Sequence, residues 1–340
     1  MKSRWKLFRY RLEEAAVRGL AGIIPRLPRP IAVHLGRGAG ALAAQVDRHG
    51  RNVALTNLEA AFGEKYSRAQ REEIARESYQ QFASTMMDLF WSPRLNSENF
   101  RHVIEFDGLE HWNNERAQNR PVIFASCHYG NFEMLSLCAG WIGIKTQIIT
   151  QEFKNARLDP VFNFLRTRSG HEIAPRDGGI VRLYKALRRG NSVTILIDLA
   201  LQLHQPAVAI DCFGLQTPVT FAHAWLAART GAAIIPVHAQ PLPGGRSRVI
   251  FHPKIEVPPD ATQQEIAQLC WDRFEPIVRQ NPAPWLWMYK YWRYRPEKTA
   301  KNYPDYAQAN PRFDRLIAEN AKEKSRANSA PPGLPNEPRG

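Results

Sequence analysis

The fourteen residues 121–134, PVIFASCHYGNFEM, decide how this chain is read. Val122, Ile123, Phe124 and Ala125 form a short, continuously apolar run, the pattern of a strand covered on both faces in a parallel sheet. The run ends at Ser126-Cys127-His128, Gly130-Asn131 reads as a turn, and Glu133 begins a helix-like segment. A strand that ends in a histidine at a turn places an imidazole at the carboxyl edge of the sheet, where open α/β folds hold their ligands. Glu133 follows His128 by five residues. Across a turn into a helix, that spacing predicts a carboxylate on the ring, holding one tautomer and leaving the other nitrogen as a general base. The main-chain N–H groups of the helix's first turn face the same space and suit developing negative charge.

Working outward, further β-rich runs at 146–150, 193–197 and 233–237 are each joined to helix-like segments. Upstream, Ile74, Tyr79, Phe82, Met86, Leu89 and Phe90 recur near a 3.6-residue period and predict a helix over 67–90 with one buried face. The predicted fold class is therefore α/β, a mostly parallel sheet covered by helices, with a helical N-terminal region. From about residue 325 the chain turns to Pro, Asn, Ser and Gly, which predicts a disordered tail. Residues 1–50 are read as a basic amphipathic segment, 51–300 as the main domain, 301–324 as a helical extension and 325–340 as the tail.

The 340 residues carry 46 Lys and Arg against 32 Asp and Glu, a formal charge of +14 that favours anionic partners. Ten of the basic residues lie within the first fifty positions, beside only Glu13, Glu14 and Asp47. Apolar stretches at 15–24 and 31–46 are broken by Arg18, His34 and Arg37, so neither reaches the roughly 18 uninterrupted residues of a spanning helix. With Trp5, Phe8 and Tyr10, this segment reads as lying on an anionic bilayer or, alternatively, as a basic helix packed on the domain. No clean signal peptide follows the basic start. Cys127, Cys138, Cys212 and Cys270 include no CxxC pair, which argues against a disulfide framework. The histidines show no metal-ligand spacing, and neither a metal nor a cofactor is expected. Cys127 adjoins His128, but neighbouring strand residues point to opposite faces, so a buried thiol is expected rather than a nucleophile.

The segment from His128 to Glu133 resembles the HxxxxE/D motif of the glycerolipid acyltransferase superfamily, and the chain is similar to its bacterial lipid A late-acyltransferase (lauroyl/myristoyl) branch. Supporting segments occur in the same order over about residues 51–296. They are Arg51 through Phe62 (RxxxxxNLxxAF), the arginine-containing block at 158–170, GxxVxxLxD at 190–198, LAxxTGAxxxP at 226–236, and the closing tryptophan and basic cluster at 285–296. Three places depart from the branch: Asp198-Leu199 stands for Asp-Gln, Cys212-Phe213-Gly214 for Phe-Phe-Gly, and Tyr289-Lys290-Tyr291-Trp292 for His-Arg-Arg-Trp.

The resemblance implies an acyltransferase domain over 51–300 at the cytoplasmic face of a bacterial inner membrane, peripheral or monotopic. The donor would be an acyl carrier protein or acyl-coenzyme A, and the acceptor a hydroxyl of an anionic membrane lipid, most simply a lipid A precursor or related glycolipid. His128 would take the acceptor's proton, oriented by Glu133, while Arg166, or alternatively Arg168, meets the charged oxygen or a lipid phosphate. Asp198, Asn131 and Gly130 complete the candidate substrate-binding set, with Asp198 positioning an arginine or a hydroxyl. Two rival readings remain at this point. One is a catalytically inactive lipid-binding homologue. The other is a nucleic-acid binder whose stacking platform is Trp287, Tyr289, Tyr291, Trp292 and Tyr294 interleaved with Lys290, Arg293 and Arg295, although no nucleic-acid motif accompanies it.

Overall fold

The computed structural model describes residues 4–150, 152–175 and 178–329. Four helices come first: α1 (Arg4–Ile23), α2 (Arg29–Val46), α3 (Arg48–Phe62) and α4 (Arg68–Trp91). An alternating body follows, with β1 (Ile104–Asp107), α5 (Leu109–Ala117), β2 (Val122–Ser126), α6 (Phe132–Trp141), β3 (Thr146–Thr150), α7 (Asp159–Thr167), β4 (Glu172–Pro175), α8 (Gly179–Arg188) and β5 (Ser192–Leu196). The chain continues through the hairpin β6 (Val208–Cys212) and β7 (Leu215–Val219), then α9 (Ala222–Thr230), β8 (Ala233–Leu242), β9 (Arg246–Phe251) and α10 (Gln263–Gln280). A two-residue pair, β10 (Tyr294–Arg295) with β11 (Gln308–Ala309), precedes α11 (Pro311–Ser329).

Seven strands form one sheet in the order β1-β9-β8-β2-β5-β3-β4, with parallel pairing everywhere except between β8 and β9. The α/β expectation holds. The apolar runs at 122–125, 146–150, 193–197 and 233–237 fall on four adjacent strands at the sheet's centre. In the ladder between β2 and β5, Ser126 at the end of one strand lies opposite Leu196 at the end of the other, so the two strands finish level.

The period-2 alternation of β2 divides the core into two layers. Ile123 and Ala125 pack with Leu58 of α3, Leu183 of α8, Leu226 of α9 and Phe274 of α10. Val122 and Phe124 pack on the other face with Leu89 of α4, Leu135 of α6 and Leu165 of α7. The N-terminal helices join this second layer through Ile24 and Ala32. In α2, Ala32, Gly36, Gly40 and Ala44 recur every four residues and are all buried, forming a seam against α4. The approach is so close that a Cβ on Gly40 would lie 2.4 Å from Gln80 Cα, so no side chain fits there.

The helix expected over 67–90 is α4, begun by a capping box in which Ser67 and Gln70 exchange hydrogen bonds. The C-terminal helix lies later than expected at 301–324. Asn310 accepts from the Arg312 N–H and Pro311 occupies the first helical position, so α11 starts there and runs through Ser329. Of the tail expected over 325–340, residues 325–329 are helical and 330–340 lie outside the described residues.

Two core histidines make the fold sensitive to acid. His223 is fully buried with neither ring nitrogen hydrogen-bonded, and burial holds its pKa down to about 4. Burial, with the neighbouring His252 ring, holds His238 down to about 3. Both rings are neutral in the folded chain but take up a proton near pH 6.5 when unfolded, so stability is complete above that pH and declines as pH falls toward 4. Each ring accounts for about 2 kcal/mol of loss between pH 7 and pH 5. Chemical denaturation of His223→Leu is expected to show a shallower loss over that interval than the wild type; parallel curves would contradict this assignment.

Candidate active site

The β2 strand delivers the site residues alternately. Ser126 and His128 line a cavity of about 800 Å³ at the carboxyl edge of β2, β5 and β3, while Cys127 between them is sealed in the opposite layer. Burial pushes the Cys127 thiol well above its ordinary pKa, which suppresses the thiolate that a nucleophile requires. After His128 the chain reverses at Gly130, whose φ of +59° suits glycine; a Cβ there would meet Ala239 O at 1.8 Å. Its N–H donates to Pro284 O at 3.0 Å and its carbonyl accepts from Thr85 Oγ1 at 3.1 Å. Asn131 then caps α6, accepting from Met134 N at 3.0 Å, and donates through Nδ2 to Asp88 at 2.7 Å. Both residues were candidate substrate contacts. Their polar groups are instead engaged in building the turn, and neither lines the cavity.

Asp198 sits on the ring of His128. His128 Nδ1 lies 2.8 Å from Asp198 Oδ1, and the His128 main-chain N–H donates to Oδ2 at 3.0 Å. Trp285 Nε1–H donates to the same Oδ2 at 2.9 Å. Burial raises the Asp198 pKa, but the His128 ring and these hydrogen bonds outweigh it and hold the carboxyl below its ordinary value. Since a carboxylate only accepts, Nδ1 carries the hydrogen, and Nε2 is the basic nitrogen. The Phe132 ring stands edge-on to the imidazole, with centroids 4.9 Å apart.

The expectation that Glu133 orients His128 is corrected by this geometry. Glu133 occupies the second position of α6, and its side chain projects to α7, where Arg166 Nε donates to its oxygens at 3.0 and 3.2 Å and Nη2 donates at 2.5 Å. The carboxylate on His128 comes from the neighbouring strand. Because Ser126 is level with Leu196, His128 is level with Asp198 two residues further along. Asp198 therefore positions an imidazole and neither an arginine nor a hydroxyl.

Arg166 and Glu133 line the cavity together, and Arg168 does not. Two residues along a helix turn the side chain by about 200°, so the two arginines face opposite ways. Arg168 donates to the carbonyls of Ser92 at 2.7 Å and Pro93 at 3.1 Å, tying the end of α7 to the end of α4. The remaining wall is largely hydrocarbon, from Leu135, Ile148, Ile195, Leu199, Phe221 and Trp225 among others. One polar end next to a long apolar volume suits an amphiphile carrying a reactive polar group. Among the described residues, no three His, Cys, Asp or Glu side chains converge as a metal site would require.

The tryptophans of the aromatic segment near the end of the domain are packed inward, while Tyr289 and Tyr294 remain partly exposed. Trp285, Trp287 and Trp292 are fully buried, Tyr291 is nearly so, and Trp285 stacks on Tyr291 at 3.9 Å. Asn57, from the RxxxxxNL segment, donates to the carbonyls of Trp287 at 2.8 Å and Tyr289 at 2.7 Å. Ser78 of α4 donates to Trp285 O. Trp285 is thus the site residue that sequence reasoning missed. Its cluster was visible, but its hydrogen bond to Asp198 spans 87 positions.

A family model described as bacterial lipid A biosynthesis acyltransferase matches residues 3–294. The chain is similar to the lipid A biosynthesis lauroyltransferase of Escherichia coli strain K12, at 24% identity over 84% of this chain and 92% of that protein. It is also similar to the lipid A biosynthesis myristoyltransferase of the same strain, at 26% identity over 81% and 84%. The phosphatidylinositol mannoside acyltransferase of Mycobacterium tuberculosis (strain CDC 1551 / Oshkosh) is 24% identical over 63% of this chain and 69% of its own length. The family match covers the four N-terminal helices, the sheet, and both strand ends that bring His128 and Asp198 together. The chain belongs to the bacterial lipid A biosynthesis acyltransferase family, and it is an acyltransferase.

Proposed function

We propose that this acyltransferase moves a fatty acyl chain from a thioester donor to a hydroxyl of a lipid A precursor or related glycolipid, with His128 as general base. The observation that carries the reading is the His128–Asp198 pair, whose ring lines a large apolar cavity. Nε2 takes the proton of the acceptor hydroxyl as that oxygen adds to the thioester carbonyl. The tetrahedral adduct then collapses, and the departing thiolate recovers the proton from the imidazolium, so no acyl-enzyme forms. Asp198 holds the tautomer and stabilises the transient imidazolium. Glu133 keeps the Arg166 guanidinium at the cavity, where its remaining donors meet a phosphate or carbonyl oxygen of the substrates.

Two surfaces support a membrane-bound acceptor and an acidic donor. The outer faces of α1 and α2 expose Trp5, Phe8, Leu12, Ile31, Leu35, Leu42 and Val46, with Trp5 and Val46 each 71% exposed amid arginines and lysines. No helix of the described residues is long and apolar enough to cross a membrane. This combination favours a chain that lies on an anionic leaflet, in our reading the cytoplasmic face of a bacterial inner membrane. Asn155 donates to Tyr10 O and to Glu13, both at 3.0 Å, which sets α1 beside the approach to α7 and Arg166. On the opposite layer, α8 contains no acidic residue and exposes Arg182, Lys185 and Arg188, followed by exposed Arg189. Its Ile180 lines the cavity. That basic helix favours an acyl carrier protein over coenzyme A as donor.

Purified enzyme given acyl thioesters on a carrier protein and on coenzyme A, with lipid A precursor as acceptor, is expected to transfer the acyl group, faster from the carrier. His128→Ala and Asp198→Asn are each expected to lose about 10²- to 10⁴-fold in kcat with the circular dichroism spectrum unchanged. Folded variants retaining most of the wild-type rate would refute the mechanism. For the surface assignment, the protein is expected to sediment with anionic vesicles at low salt and to be released by high salt, because polybasic attraction is screened. Replacing Trp5, Phe8 and Leu12 with serine is expected to weaken sedimentation while leaving turnover on detergent-dispersed lipid within about twofold. Retention through both high salt and carbonate would contradict a surface-bound mode.

A further inference from the structure

Ser126 is 1% exposed, and its hydroxyl makes no hydrogen bond. Among the described residues it is the only side chain lining the catalytic cavity that leaves a buried polar atom without a partner. Buried hydroxyls are normally paired because losing water without gaining a protein partner costs free energy, so an exception calls for a physical reason. Ser126 is the last residue of β2, His128 follows two positions later at the bend, and both line the same cavity. The two side chains therefore border one space, which a nucleophilic oxygen at His128 Nε2 and the carbonyl group it attacks would share.

Several other polar side chains at or beside the wall already have protein partners. Arg166 is held by Glu133, and Asp198 accepts from His128 and Trp285. Thr194 donates to Thr146 Oγ1 at 3.1 Å, and Thr220 Oγ1 accepts from Ala222 N at 3.1 Å. We propose that the Ser126 hydroxyl donates to the thioester carbonyl oxygen as it becomes negatively charged, supplying a neutral component of the oxyanion site. The inference rests on the acyl-transfer function proposed for the His128–Asp198 pair. As the acceptor oxygen bonds to the carbonyl carbon and its proton passes to His128 Nε2, the carbonyl π pair moves onto the oxygen facing Ser126. When that pair returns, the carbon–sulfur bond breaks and the thiolate takes the proton from His128. The Ser126 O–H bond stays intact throughout.

Activity and stability are expected to move independently in Ser126→Ala. Loss of an oxyanion donor is expected to lower kcat by about 10²- to 10³-fold, with KM changed by less than about threefold. Because the alanine also removes an unpaired buried hydroxyl, its Tm is expected at or above that of the wild type. Ser126→Cys, with a weaker donor, is expected to fall between the two in kcat. A Ser126→Ala rate within about threefold of wild type, or a lowered Tm indicating a structural hydrogen bond, would overturn the proposal while His128→Ala remains inactive. An inactive wild type would instead overturn the acyl-transfer function and this proposal with it.

Discussion

The structure is organised around one buried carboxylate. Asp198 has no exposed side-chain surface, and a charge in such a place is tolerated when donors surround it. Its donors come from separate parts of the chain: the His128 main chain and ring after β2, and the Trp285 indole after α10. Removing any one leaves part of the carboxylate unsatisfied, so the ends of β2 and β5 and the segment after α10 are held to one geometry. That segment is fixed in turn from the front of the chain by Asn57 of α3 and Ser78 of α4. The helical N-terminal region is therefore part of the support of the His128 imidazole, the base we propose.

A second buried acid steadies the other side of the same turn. Asp88 of α4 receives both a bidentate contact from Arg29 and the Asn131 amide. Arg29 also donates to Gly245 O at 2.7 Å and covers the Trp91 ring at 4.9 Å. Burial pushes Asp88 toward the protonated form while these donors oppose it. Arg29 begins α2, whose outer face carries exposed Ile31, Leu35, Leu42 and Val46. The apolar surface proposed to meet the membrane and the turn that presents His128 are thus joined through two side chains.

Much of the sheet was legible because central parallel strands, covered on both faces, are continuous apolar runs. The edge strand β1 and the antiparallel β9 lack that signature: Ile104–Asp107 and Arg246–Phe251 mix charge with apolar residues. His128 and the turn after it were visible in local sequence. Its carboxylate partner was not, because the adjacency of β2 and β5 is set by the strand order of the whole sheet. Spacing along the chain drew attention to Glu133, whereas spacing across the ladder supplies Asp198. Arg166 and Arg168 were equivalent in composition, and helix rotation separates them. The aromatic cluster misled for a related reason: interleaved Trp, Tyr, Lys and Arg read alike whether the rings face solvent or pack inward, and here Trp287, Tyr291 and Trp292 are buried.

The central claim is that Asp198, and not Glu133, makes His128 a base. It is tested most directly by the ¹⁵N chemical shifts of the His128 ring at neutral pH, assigned by comparison with His128→Ala. The wild type and Glu133→Gln are expected to show a protonated Nδ1 and an unprotonated Nε2, and Asp198→Asn is expected to lose that preference. A tautomer preserved in Asp198→Asn but lost in Glu133→Gln would contradict the account.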